Sequence, residues 1–172
     1  MTYLMSEEEE KLPMEITDFP WCYKSNENRC TTFFGFSIAP PFNVGKWMLF
    51  YPNSKMNDSW ILAKKLFDNN ELYGVISMKC STAYKNPRAS SKNNGIIILY
   101  CSDSDNESEI MKIGKNILNK FKYIENPTIF YKPNEMTNNG TRATGCRCNH
   151  KYVLENELYK KMQKSWMDDD DY

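Results

Sequence analysis

The chain has one histidine, seven scattered glycines, no net charge and no long apolar run, and each shortage closes off a class of function. His150 stands alone. A Cys–His nucleophilic pair would also need an orienting group and an oxyanion hole, and no motif supplies either. The glycines form no phosphate-cradling loop. Enzymatic chemistry is therefore not expected. A small nucleotide hydrolase remains as an alternative, to be exposed by metal dependence or by His150→Ala. No window of 18 apolar residues occurs, so no membrane-spanning helix is expected. The first residues, Met-Thr-Tyr-Leu-Met-Ser and then four Glu, lack the basic and apolar segments of a secretory leader. Lys+Arg and Asp+Glu balance at 22 each, so any nucleic-acid site must be a local patch.

What is present suffices for one domain. Hydrophobic residues make up 41% and aromatics 14%, and a chain of this length buries about two thirds of its unfolded surface. The mean hydropathy of -0.67 comes mostly from Asn, Lys, Ser and Asp, as polar loops would give. Glu7 to Glu10 and Asp168 to Asp171 are acidic runs that read as solvated ends. The expected division is a flexible acidic tail over 1–15, a single domain over 16–165 and an acidic tail over 166–172. Six cysteines without a leader are expected to be reduced, in the cytoplasm or nucleus. Asn139-Gly140-Thr141 then has no use as a glycosylation acceptor.

Periodicity places the elements. Phe19-Pro20-Trp21-Cys22-Tyr23 is an aromatic cluster interrupted by proline, and Thr31 to Ile38 has strand propensity. Whether residues 16–44 complete the sheet is left open. Lys46 to Tyr51 reads as a strand stopped by Pro52. A helix over Asn57 to Phe67 follows, with Asp58 or Ser59 as its cap and Trp60, Ala63 and Phe67 on one apolar face. Gly74 to Lys79 and Gly95 to Tyr100 are strands. A second helix runs from Ser104 to Phe121, with Ser104 and Glu107 as a capping box and a stripe of Ile110, Ile113, Ile117, Leu118 and Phe121. Thr128 to Pro133 is a strand, and Leu154, Leu158 and Met162 mark a third helix from about Tyr152 to Lys164. Strands alternating with helices, yet often adjacent, predict an α+β fold: one curved, mainly antiparallel sheet with helices packed on one face.

The order and spacing of Gly45-Lys46-Trp47, Asp58-Ser59-Trp60, the strand ending at Lys79 and the strand ending at Tyr100 resemble the cap-binding translation initiation factors of the 4E type. With Tyr131-Lys132-Pro133 added, they resemble more closely the basophilic leukaemia-expressed protein family, a divergent branch of the 4E-like fold. The resemblance covers roughly half the chain. It implies a 4E-like fold. Lys79 falls where the 4E factors place a phosphate-contacting arginine, and Tyr100 where they place a Trp near the methyl group of the cap. Lys132 and the loop from Asn134 to Arg142 match the segment near the cap phosphates. Those factors grip 7-methylguanine between two Trp rings and read it with a Trp-Glu pair. Only Trp21 precedes Gly45 here, and no Trp-Glu pair does. The resemblance thus implies the fold without specific cap recognition.

Three constellations could carry chemistry. Lys79, Lys85, Arg88 and Lys92, with Tyr84 interleaved, suit phosphate pairing and base stacking. Lys132, Arg142 and Arg147 could join them. An ordinary solvated hairpin loop is the plainer reading of the same residues. Cys146, Cys148 and His150 lie within five residues, but the spacing is not that of a zinc site, and reduced cysteines explain it as well. Whether they hold metal stays open. Asp103, Asp105, Glu107 and Glu109 are explained by capping and the helix dipole. Trp47 and Trp60 are expected in the core, leaving Trp21 and Tyr100 as stacking rings. The expected function is non-enzymatic binding of a nucleotide or RNA, with no cofactor, no metal and no membrane partner. The alternative is a protein-interaction module that kept the fold and lost the ligand. Its partner surface would be the acidic tails or the Leu154, Leu158 and Met162 face.

Overall fold

In the computed structural model, which describes residues 10–25, 32–33, 36–37, 44–85, 87, 92–138 and 150–169, side chains alternate strictly along the central strand. That strand is β4, Gly45–Pro52; Gly45, Trp47, Leu49 and Tyr51 are buried while Phe50 points to solvent. The remaining strands are β1 (Trp21–Ser25), β2 (Thr32–Phe33), β3 (Phe36–Ser37), β5 (Val75–Ser81), β6 (Asn94–Cys101), β7 (Thr128–Pro133) and β8 (Tyr152–Glu155). The helices are α1 (Asn53–Asp68), α2 (Glu107–Phe121), α3 (Asn134–Asn138) and α4 (Glu157–Asp169). Six strands form one curved open sheet in the order β1-β5-β6-β4-β7-β8, and every neighbouring pair is antiparallel. The α+β architecture expected from the sequence is therefore the one observed.

One sheet face carries the core. Met56, Trp60, Ala63 and Phe67 of α1 and Ile110, Ile113, Ile117 and Phe121 of α2 pack on Trp47, Leu49, Ile97, Leu99 and Ile129. Trp47 is fully buried, and its indole N–H donates to the Ile110 carbonyl at 3.2 Å. That bond fixes the start of α2 on the sheet. Gly114 permits the close approach, because a Cβ there would lie 2.6 Å from the Trp47 ring. Gly45 plays the same part on β4, where a Cβ would lie 2.3 Å from the Tyr131 hydroxyl. Trp47 and Trp60 are core residues, as their apolar neighbours suggested.

Several local expectations change. α1 begins at Asn53, directly after Pro52, so Asp58 and Ser59 lie inside the helix rather than capping it. α2 is capped by Asn106, whose side-chain oxygen accepts from the Glu109 N–H at 3.1 Å. The Ser104 capping box does not form. Asp103 turns the chain through φ 63 before the helix starts, and Ser104 is buried with its carbonyl held by Lys151 Nζ and Tyr152 Oη. Thr31 to Ile38 is not one strand; Thr32–Phe33 pairs antiparallel with Phe36–Ser37. β1 does complete the sheet, as its edge strand beside β5.

The ends also differ. Pro13 is buried, and Pro13–Glu15 forms a 3-10 turn. Met14 N–H donates to Asn57 at 2.9 Å, and Glu10 pairs with Lys64 at 2.6 Å. Residues 10–15 therefore pack on α1 instead of forming a tail. α4 continues to Asp169, so residues 166–169 are helical. Residues 1–9 and 170–172 lie outside the described residues.

The third predicted helix is split. Tyr152–Glu155 is β8, paired with β7, and Leu154 is a core residue of that strand rather than part of a helix face with Leu158 and Met162. Asn156 makes the break. It is fully buried, donates to the carbonyls of Tyr123 (2.8 Å) and Asn126 (3.0 Å), and accepts from the Tyr159 N–H at 3.3 Å at the start of α4. Asn156→Ala removes the donor to the buried Tyr123 carbonyl and the half-buried Asn126 carbonyl, and leaves a helix uncapped. A loss of about 2 kcal/mol in urea unfolding is expected; a loss within error would show that the strand-to-helix break does not depend on Asn156.

Candidate functional site

The opposite face of the sheet, turned away from α1 and α2, brings together lysines and aromatic rings from five strands. Register explains how. Lys132 on β7 lies opposite Lys46 on β4, Lys46 opposite Tyr100 on β6, and Tyr100 opposite Ser77 on β5. One residue pair along the same face, Lys79 lies between Ile98 and Tyr23. Trp21 is opposite Ser81, hence diagonal to Lys79 and within reach of its long side chain. The Lys79 ammonium sits 4.1 Å from the Trp21 ring centroid, 6.0 Å from Tyr23 and 5.9 Å from Tyr100. Lys46 is 5.9 Å from the same Tyr100 ring. These are cation–π distances.

The N-terminal segment sets Trp21 in place. The Thr82 hydroxyl at the end of β5 donates to the Phe19 carbonyl. Thr82 N–H donates to Pro20 at 3.3 Å, and Ala83 N–H to Pro13 at 3.0 Å. These bonds hold the Pro-interrupted approach to β1 against β5. In β5 the pairing shifts between Val75 and Ser77, which seats Tyr100 opposite Ser77.

The electrostatics are those of crowded cations. Lys46 is pushed down to about 8, first by burial and then by the charges of Lys79 and Lys132. Burial alone lowers Lys79. Lys132 is only 7% exposed. Lys46 Nζ also donates to Asn134 of α3 at 3.2 Å, which ties the start of α3 to the platform. Burial, and then Tyr23, pushes Tyr100 up to about 12, so it remains a neutral ring. Lysines that have lost hydration gain from an anion, and flat rings beside them offer surfaces to bases.

Of the residues picked out by sequence, Lys79, Lys132, Trp21 and Tyr100 meet on this platform. Tyr84 and Lys85 are exposed in the loop after β5, and no described interaction joins them to it. Lys92 is also exposed. Its carbonyl accepts from Asn53 at 3.1 Å, at the start of α1. Arg88, Arg142 and Arg147 lie outside the described residues, as do Cys146 and Cys148. His150 stacks at a tilt on Phe130, with centroids 4.8 Å apart. Among the described residues no group of three or more His, Cys, Asp or Glu could hold a metal ion. Sequence reasoning missed Lys46 and Tyr23. The alternation of β4 was the available signal for Lys46, since a strand that buries Trp47 must turn Lys46 to the other face.

The family model for the basophilic leukemia-expressed protein Bles03 matches residues 22–139. Among solved structures, the fold is similar to schistosome eIF4E complexed with m7GpppG and 4E-BP, at 17% identity and a TM-score of 0.50. That likeness covers 65% of this chain and 59% of the other. A second schistosome eIF4E complex, with m7GpppA and 4E-BP, matches at 19% identity and a TM-score of 0.49, over 65% of this chain and 59% of the other. C. elegans eIF4E-3, solved with the 4E-binding protein Mextli and a cap analog, matches at 10% identity and a TM-score of 0.49. There the coverage is 64% of this chain and 57% of the other. The chain thus spans less than two thirds of the length of these neighbours. At such identities the likeness to the first establishes an eIF4E-like fold. No curated protein matches in sequence.

Proposed function

This chain belongs to the basophilic leukemia-expressed protein Bles03 family, and we propose that it is a non-enzymatic module that binds the phosphates and bases of a nucleotide or a single-stranded RNA. The observation that carries this reading is Lys79 stacked on Trp21, with Lys46 and Lys132 in the neighbouring row. Lys79, Lys46 and Lys132 would contact phosphates, and Trp21 and Tyr100 would stack on bases. The same contact argues against a preference for 7-methylguanine. An ammonium already occupies the Trp21 ring, and it repels a cationic base.

A second reading, a protein-interaction module, is favoured by the exposure of Phe19 (68%) and of Trp166 on α4 (58%). The schistosome eIF4E neighbour was solved with 4E-BP. Partners that persist after nuclease treatment would support it.

The test of the leading reading is the affinity for a short labelled single-stranded RNA across salt and pH. Binding is expected to tighten as salt falls. Lys46, with its pKa about 8, is mostly charged at pH 7 and mostly neutral at pH 9. Affinity should fall by up to about tenfold across that interval if the charged form binds the anion. Absence of binding at low salt would leave the protein-interaction reading.

A further inference from the structure

Cys22 and Cys80 are directly opposed on β1 and β5, an antiparallel pair at the edge of the sheet. Both side chains lie on the face turned to α1, where Cys80 is fully buried and Cys22 partly exposed. Each thiol shifts the ionisation of the other. Directly opposed residues of antiparallel strands have Cα atoms about 4.5–5.5 Å apart, inside the range that a disulfide spans without backbone movement. Cys101, the other described cysteine, is buried and has no such partner among the described residues.

We propose that Cys22 and Cys80 are a modification site: a cross-strand dithiol that a low-molecular-weight disulfide converts to a protein disulfide. The exchange balances without any other reactant. The Cys22 thiolate attacks one sulfur of the small disulfide and releases one small thiol. The Cys80 thiolate then attacks Cys22 in the mixed disulfide and releases the second. The protein loses two hydrogens, and the reagent is reduced to two thiols.

Access and packing agree with that order of attack. Cys22 lines an open groove of about 410 Å³ along the edge of the sheet, with Trp21, Phe19, Glu10, Glu15 and Asp18. Cys80 is fully buried, so Cys22 is the thiol that a reagent meets first. Lys11 also lines the groove, and the net negative charge of the lining favours a neutral or cationic disulfide over an anionic one. Burial holds both thiols above their ordinary range, so exchange is slow at neutral pH and quickens as pH rises. Closure would bolt the edge strand to its neighbour between Trp21 and Tyr23 on one side and beside Lys79 on the other.

The full chain, reduced, is incubated at mildly alkaline pH with excess 2-hydroxyethyl disulfide. It is then alkylated, digested and read by mass spectrometry. A linked pair of peptides carrying Cys22 and Cys80 is expected, with the denaturant midpoint of the oxidised chain above that of the reduced one. Cys22→Ser should abolish both the link and the shift. The same link should form when the chain is refolded with the reagent present, which removes any limit on access to Cys80. A mixed disulfide at Cys22 with Cys80 still alkylated after refolding would overturn the proposal. So would a dominant link from Cys22 to any other cysteine. The readout is independent of ligand binding, so it stands or falls separately from the proposed function.

Discussion

Trp47→Ala is expected to lower the unfolding free energy by about 3–5 kcal/mol, the range for emptying a large buried aromatic site. The indole is fully buried. It meets Tyr131 edge-on at 5.4 Å, presses against Gly114 of α2 and donates to the Ile110 carbonyl. Its removal therefore opens a cavity at the junction of β4, β7 and α2, and removes the bond that ties the start of α2 to the sheet. Domains of this kind are stable by roughly 5–15 kcal/mol, so the loss is a large share of the total. Trp47→Phe keeps much of the volume and loses the hydrogen bond, and should cost distinctly less. Urea unfolding followed by circular dichroism measures both. A loss below about 1 kcal/mol for the alanine variant would be inconsistent with the cavity cost of a core aromatic.

The second large effect concerns ligand affinity. Lys46→Ala combined with Lys79→Ala should weaken binding of a short single-stranded RNA by about 100-fold, given that each hydrogen bond to a charged group is worth about 1.5–3 kcal/mol. The slope of log affinity against log salt should flatten by about 1.4, at about 0.7 per phosphate contact on a single strand. Lys85→Ala combined with Lys92→Ala removes the same charge from the loop after β5. Both side chains are exposed there, and a change of less than about threefold is expected, since sequence-independent surface charge contributes weakly at moderate salt. Titrations by fluorescence anisotropy separate the two pairs. An equal loss from the loop pair would place the phosphate contacts on the loop instead of the sheet.

Much of this was legible in the chain. The strands over Lys46 to Tyr51, Gly95 to Tyr100 and Thr128 to Pro133 and the apolar faces of α1 and α2 follow from periodicity, because burial on one side imposes it. Gly45-Lys46-Trp47 shows how much three residues can specify. Gly45 makes room for Tyr131, Trp47 fills the core, and Lys46 is thereby turned to the platform. Other features were hidden for definite reasons. Leu154, Leu158 and Met162 are spaced by four and mimic a helix, but the spacing cannot show that Asn156 interrupts it with two tertiary hydrogen bonds and a local cap. Asp103 at positive φ moved the α2 cap from Ser104 to Asn106, a backbone event with no pattern of its own. The platform could not be assembled from spacing, since Lys79 and Trp21 meet through strand register across 58 residues of chain. The basic residues adjacent in sequence were the conspicuous ones, whereas β-sheet register gathered distant ones.

The account rests on Trp21 and Lys79 forming a surface for phosphates and bases, and intrinsic fluorescence tests it most directly. Trp47 and Trp60 are buried in the core and Trp166 is on α4, so Trp21 is the reporter at the platform, with Trp21→Phe as the control. The chain is titrated with GTP, 7-methyl-GTP and a short single-stranded RNA at low and moderate salt. Salt-sensitive quenching by RNA, similar quenching by GTP and 7-methyl-GTP, and loss of both in Trp21→Phe are the expected results. Quenching by 7-methyl-GTP alone, or by none of the three, would contradict it.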